Sequence, residues 1–247
     1  MSGHVGRAYL VLGATGGIGS DLCRRLAGAG AKLMVAGRDE AKARVLAQEL
    51  GAESRTFEAR DLSSIDAVAR GAHEAFGRLD GVAHCVGSLL LKPALATSDA
   101  EFDDTYALNL RSAFGALRAA VREMEMGGSV VLVSSVAARF GLANHEAIAA
   151  AKAGVIGLTL SAAATYAPKN VRVNAVAPGL VETPLTTSLT QSAPMRKASE
   201  AMHPLGRIGT PSDVASAMAW LLSGDSSWVT GQVLGVDGGL GSARPRR

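Results

Sequence analysis

Gly13-Ala14-Thr15-Gly16-Gly17-Ile18-Gly19 is the first stretch of this chain whose residue types could do chemistry. Gly13 permits a tight turn, and Gly17 lets backbone approach a pyrophosphate with no Cβ in the way. Gly19 lets the following helix pack close against a sheet. The exposed N–H groups and positive dipole at such a helix start hold phosphates. A glycine cluster by itself is also a plain loop; placed after the first buried strand of an α/β chain, it marks a dinucleotide site. A second signal is Gly37-Arg38, at the end of the second apolar run, where an acidic residue would bond the ribose 2′-OH of NAD. A guanidinium there pairs with a 2′-phosphate through charge-assisted bonds of roughly 1.5–3 kcal/mol each. NADP(H) is therefore the preferred cofactor, with NAD(H) as the alternative. Asp39 follows directly and competes for Arg38, and a solvated loop arginine is the plainer state.

These loops need elements to hold them. Tyr9-Leu10-Val11-Leu12 is a short buried strand, and Ile18, Leu22 and Leu26 line one face of a helix. Strand and helix then alternate: strands at 32–36, one ending near Ala59, Leu79 to Cys85, 129–133, Val171 to Ala177 and Val233 to Val236. Helices are expected at 39–50, 63–76, about 100–124, 145–167 and 212–223. Alternation of this kind implies parallel strands joined by right-handed crossovers. The expected fold is a Rossmann-type three-layer α/β/α sandwich with a seven-stranded parallel sheet, in a single domain over 1–247. One stretch breaks the rhythm. Residues 184–209, polar and dotted with methionine, read as a substrate loop or lid.

Bulk properties exclude several functions. Hydrophobic residues make up 48% and charged residues 19%, so the chain is globular. Net charge is only +3, aromatics are 4%, and no basic stripe carries interleaved aromatics, so nucleic acid is not an expected partner. The Arg244-Pro245-Arg246-Arg247 run reads as a frayed end. Cys23 and Cys85 form no CxxC pair, which suits a reducing compartment. No signal pattern opens the chain, and no apolar run approaches the ~20 residues a membrane span needs. A cytoplasmic protein acting on a small molecule is the expectation. No metal site is expected: no two of the five histidines stand at i, i+4, and Ala149 fills the place where a zinc motif starting at His145 would need its second histidine.

Taken together, the motifs resemble the short-chain dehydrogenase/reductase family from residue 8 to 240. Gly13 to Gly19 is similar to its TGxxxGxG loop, with Leu12 in place of the usual threonine. Asp61-Leu62 resembles the pair that contacts adenine. Pro178-Gly179-Leu180-Val181-Glu182-Thr183 resembles the PG…T segment, whose threonine holds the nicotinamide carboxamide. Asn174 lies in a run typical of the sixth strand, and Val229-Thr230-Gly231-Gln232 and Val236-Asp237-Gly238-Gly239 resemble the C-terminal segment. Where the family carries Asn-Asn-Ala-Gly, this chain has His84-Cys85-Val86-Gly87. Only Gly87 survives, with His84 and Cys85 expected near the adenosine ribose or as local packing substitutions. Asn109 matches the asparagine that relatives use to hold a water near the lysine; a buried amide serving a helix kink would look the same.

The resemblance breaks at the reaction centre. Ser135 and Lys152 match the family's serine and lysine, and Ile148 stands where the tyrosine belongs. In relatives the tyrosine protonates the carbonyl oxygen, the lysine lowers the tyrosine pKa and binds the nicotinamide ribose, and the serine steadies the oxyanion. Isoleucine transfers no proton. His145 lies one helical turn before Ile148 on the same face and is the candidate substitute, although a capping or surface histidine is the plainer state. Tyr106, one turn before Asn109, is the second candidate. Ser135 alone is also a strand-end serine, and Lys152 a solvated helix lysine. The resemblance implies a carbonyl reductase or alcohol dehydrogenase with an altered acid, assembled as a homotetramer or homodimer. The alternatives are a non-redox cyclase, isomerase or dehydratase on the same scaffold, or a cofactor-sensing protein without catalysis.

Overall fold

Unbroken apolar runs make strands that are covered on both faces, and Ala8–Leu12, buried along its whole length, is the clearest of them. In the computed structural model, which describes residues 2–243, it is β1 of a seven-stranded sheet. The others are β2 Lys32–Gly37, β3 Glu53–Thr56, β4 Gly81–His84, β5 Gly128–Val133, β6 Val171–Pro178 and β7 Val233–Val236. Their order is β3-β2-β1-β4-β5-β6-β7, and every neighbouring pair is parallel. The Rossmann-type three-layer expectation holds. The basic run at 244–247 lies outside the described residues.

The helices are α1 Gly17–Gly28, α2 Glu40–Leu50, α3 Leu62–Phe76, α4 Asp99–Tyr106, α5 Ser112–Glu123, α6 Glu146–Tyr166, α7 Thr187–Thr190, α8 Ala193–Met202 and α9 Pro211–Leu222. Side chains of α1, α2 and α9 form one core with Val11, Val35 and Val131. Those of α3, α5 and α6 form the other with Leu10, Val82 and Leu132. Several helix starts are written in the sequence. Asp39 caps α2 by accepting the Lys42 N–H at 3.1 Å, and Ser98–Glu101 and Thr210–Asp213 form capping boxes.

Four expectations need correction. β3 stops at Thr56, short of Ala59, because it is an edge strand whose side chains are mostly exposed. The helix expected over 100–124 is interrupted by a π-helical turn at Ala107–Arg111, where one extra residue is held in the coil. The 184–209 stretch is largely helical, since it contains α7 and α8. The stretch Glu146–Lys169 is in fact long and apolar enough to cross a membrane. In the structure, one side of that helix, with Ala151, Val155, Ala162 and Ala163, is buried against the sheet, as in a core helix.

Candidate active site

Open parallel sheets bind ligands where strand order reverses, outside the carboxyl ends of the strands. Here that point is β1, which pairs with β2 on one side and β4 on the other. The glycine loop sits on it. Gly13 has φ +78°, and a Cβ there would lie 2.8 Å from the Cys85 carbonyl carbon. A Cβ on Gly17 would lie 2.9 Å from Thr183 Cγ2, and one on Gly19 would run into the Gly13 carbonyl oxygen. The cradle therefore accepts only glycine at these places, which is what close backbone approach to a pyrophosphate requires.

Two cavities flank the loop. At the adenosine end, about 240 Å³ is lined by Gly13, Thr15, Arg38, Phe57, Ala59 and Arg60. Asp39 does not take Arg38: its carboxylate caps α2 and lies 3.5 Å from Lys42 Nζ. Arg60, which the sequence reading missed, is engaged by Asp104 at 2.6 Å. Arg38 makes no ion pair among the described residues and lines this cavity. Asp61 and Leu62 do not line this cavity. Asp61 caps α3, and the hydrogen bond from the Ser63 hydroxyl, at 2.7 Å, leads the effects that hold its carboxyl below the usual range. Leu62 packs on the core beneath Gly115.

At the nicotinamide end, about 260 Å³ is lined by residues of six segments, among them Ile18, Gly87, Asn109, Ser135, Lys152 and Thr183. Pro178 and Gly179 complete its wall, and Ile148, buried to 4% exposure, stands among them. Ser135 Oγ accepts the Ala137 N–H at 3.1 Å, capping a short 3-10 turn. Lys152 Nζ donates to the Val133 carbonyl at 2.8 Å, and a Cβ on Gly87 would lie 3.4 Å from it. Asn109 Oδ1 accepts the Ser88 N–H at 3.2 Å. Its Nδ2 donates to Ser88 Oγ and to the Thr105 carbonyl, each at 2.9 Å. The amide thus serves the carbonyl at the π-turn and pins the Gly87-Ser88 loop together.

The three other polar candidates separate. His145 Nδ1–H donates to the Ala143 carbonyl at 2.7 Å. The residue lines a neighbouring cavity of about 470 Å³ that also touches Ser135 and Ile148. Tyr106 lines neither cavity; its ring lies against Phe102, with centroids 4.7 Å apart. His84 is fully buried under α5 and lines neither cavity beside the glycine loop, the local packing substitution of the two readings open for it. Ser112 Oγ donates to the Leu108 carbonyl at 2.7 Å, so it accepts from His84 Nε2–H at 2.9 Å. Burial, with the Lys152 charge, pulls the His84 pKa down to about 3. Cys85 lines both flanking cavities, and burial pushes its thiol up to about 12.

Sequence reading missed Ser88, Leu89 and Thr186, which line the nicotinamide cavity, and the inner face of α8. Met195, Ser199 and Met202 fall at helical spacing, a signal present in the sequence. His203, just past α8, ties it down. Its Nδ1–H donates to the Ser199 carbonyl at 2.6 Å, and its Nε2 accepts the Leu180 N–H at 3.3 Å.

Lys152 carries a stability prediction. Burial lowers its pKa from 10.5 to about 8. A lysine with a depressed folded-state pKa costs stability fully below that value, and the cost fades as pH rises to the unfolded pKa. The cost is on the order of 3 kcal/mol at neutral pH. Lys152→Met is therefore expected to be more stable than the parent at pH 7. The gap should close between pH 8 and about 10.5. Thermal melts of both proteins across that range check it; a pH-independent gap contradicts it.

The comparisons with known proteins agree with this geometry. Residues 13–241 match the family model described as enoyl-(acyl carrier protein) reductase. The 3-oxoacyl-[acyl-carrier-protein] reductase of Vibrio cholerae is 35% identical over 239 residues, covering 95% of this chain and 97% of the relative. The levodione reductase of Leifsonia aquatica is 36% identical over 253 residues, covering 96% and 95%. A solved short-chain type dehydrogenase/reductase from Mycobacterium ulcerans superposes with a TM-score of 0.91 at 34% identity, covering 97% of this chain and 91% of that one. By fold, cradle and sequence, the chain belongs to the short-chain dehydrogenase/reductase family of oxidoreductases.

Proposed function

We propose that this protein is an NADP(H)-dependent oxidoreductase of a carbonyl/alcohol pair, working with an altered proton donor. The observation that carries the reading is that Ser135, Asn109, Lys152 and Thr183 line one cavity, with Ile148 in the place of the phenol. The glycine cradle would hold the pyrophosphate, Arg38 the 2′-phosphate, Lys152 the nicotinamide ribose and Thr183 the carboxamide. The bound nicotinamide supplies or accepts the hydride. Ser135 Oγ–H hydrogen-bonds the carbonyl oxygen and orients it.

His145 is the proposed acid. With Nδ1–H fixed on the Ala143 carbonyl, the imidazolium form keeps that bond and gives its proton from Nε2. His145→Ala is expected to lower kcat/KM by about 10²–10⁴-fold and to flatten the pH–rate profile. Unchanged rates in the variant would remove His145 from the mechanism. The second reading, a non-redox or cofactor-sensing protein, is favoured by Ile148 itself, since it presents no proton to the site. Stopped-flow absorbance of NADPH mixed with enzyme and ketone separates the two. Oxidation of the cofactor supports the reductase, and binding without oxidation supports the rival.

A homotetramer is proposed on the family resemblance. Its support here is an outer face of α5 and α6 with Phe114 48% and Leu160 53% exposed, beside Ala150, Ala153 and Gly157. Small residues let partner helices approach closely. A monomer mass by light scattering at micromolar concentration contradicts it.

A further inference from the structure

The cavity of about 470 Å³ beside the nicotinamide end shows what kind of molecule reacts there. Its walls come from the Leu89–Leu91 loop, the segment before α6, and α8. Among the described residues lining it there is no aspartate, glutamate, lysine or arginine. Most of its polar side chains are engaged. The Thr186 hydroxyl donates to the Val181 carbonyl at 2.5 Å, and both His203 ring nitrogens are satisfied. That leaves the Ser199 hydroxyl on α8, and Ser135 and His145 grouped with Ile148 at the reacting end. Elsewhere the lining is chiefly aliphatic or thioether, including Leu91, Leu142, Leu189, Met195, Met202 and Leu240.

Two observations join here. Met195 is 52% and Met202 44% exposed although both line the cavity, so water covers apolar surface that a ligand would cover instead. A carboxylate or phosphate against α8 would lose hydration and meet no lysine or arginine; the imidazole of His145 lies at the reacting end. The volume holds about fifteen non-hydrogen atoms at roughly 30 Å³ each. We infer that the site takes an uncharged, largely apolar ketone, or the matching secondary alcohol, of about ten to fifteen non-hydrogen atoms. The identity of the reacting group rests on the oxidoreductase reading; the apolar, uncharged class rests on the cavity alone.

Calorimetric titration tests this without chemistry. The protein saturated with NADP+, which has no hydride to give, is titrated with 1-tetralone, 2-decanone and 4-acetylbenzoate. At least one uncharged ketone is expected to bind with a negative heat-capacity change, the mark of apolar burial. The carboxylate is expected to bind about 100-fold more weakly. Met195→Lys, which puts a cation at the rim, is expected to narrow that gap about tenfold. Equal affinity for 4-acetylbenzoate and the ketones overturns the inference, as does failure of both ketones to bind while NADP+ binds. A ketone that binds with this preference, yet is not reduced when NADPH replaces NADP+, leaves the substrate class standing and removes the oxidoreductase reading.

Discussion

Ile148→Tyr is expected to raise ketone reduction by up to about 10²–10⁴-fold, the full contribution of a positioned general acid being seen in the His145→Ala background. The place is prepared for it. Ile148 lies at the boundary of the nicotinamide and substrate cavities, and Ser135 lines both. Lys152 stands one turn further along the same helical face, with its pKa near 8, so it is largely cationic at neutral pH. A cation beside a phenol favours the phenolate and lowers the phenol pKa, which makes proton release easier. The added bulk carries a cost. Ile148 is packed to 4% exposure, and overfilling such a site costs roughly 1–3 kcal/mol. That cost appears as a lower melting temperature; the rate gain is read separately, as kcat/KM with NADPH. If the variant still binds NADPH and reduces none of the tested ketones, the oxidoreductase reading loses its main support.

Arg38→Asp is expected to weaken NADPH binding by about 10²–10⁴-fold, from the loss of two charge-assisted bonds of roughly 1.5–3 kcal/mol each. No nearby cation replaces Arg38 cheaply, because Arg60 is held by Asp104 and Glu58. The new carboxylate also repels a 2′-phosphate and accepts a hydrogen bond from a 2′-OH, so NADH should gain relative to NADPH. Fluorescence titration of both nucleotides measures the switch. Equal NADPH affinity in parent and variant would show that Arg38 is a solvated loop arginine.

Legibility of the sequence followed how local each signal was. The glycine cradle was plain because each glycine answers a short-range steric demand, and the buried strands were plain because covered strands are unbroken apolar runs. The edge strand β3 was misjudged in length because Glu53 to Thr56 has no buried face to pattern it. The 184–209 stretch was taken for a loop because α7 is a single turn and α8 carries polar residues outward. Asp39 looked like a competitor for Arg38, and only the three-dimensional start of α2 shows its carboxylate committed to Lys42. His84 was left between two readings for a related reason. Alternation along β4 turns it under α5 while its neighbour Cys85 faces the cavities, and the motif position alone does not say which way each side chain points.

The π-turn at Ala107–Arg111 makes Asn109 and the extra residue a single heritable unit. Removing one residue there would restore a continuous α-helix and turn everything on one side of the deletion by about 100°. Asn109 would swing off the Ser88 loop and off the carbonyl of Thr105. Changing Asn109 alone would instead leave that carbonyl and the Ser88 N–H without their present partners, the latter in a wall of the nicotinamide cavity. Neither change is a small step for the chain. The turn and the amide it carries therefore stand or fall together, and with them part of one wall of the cavity around Ile148.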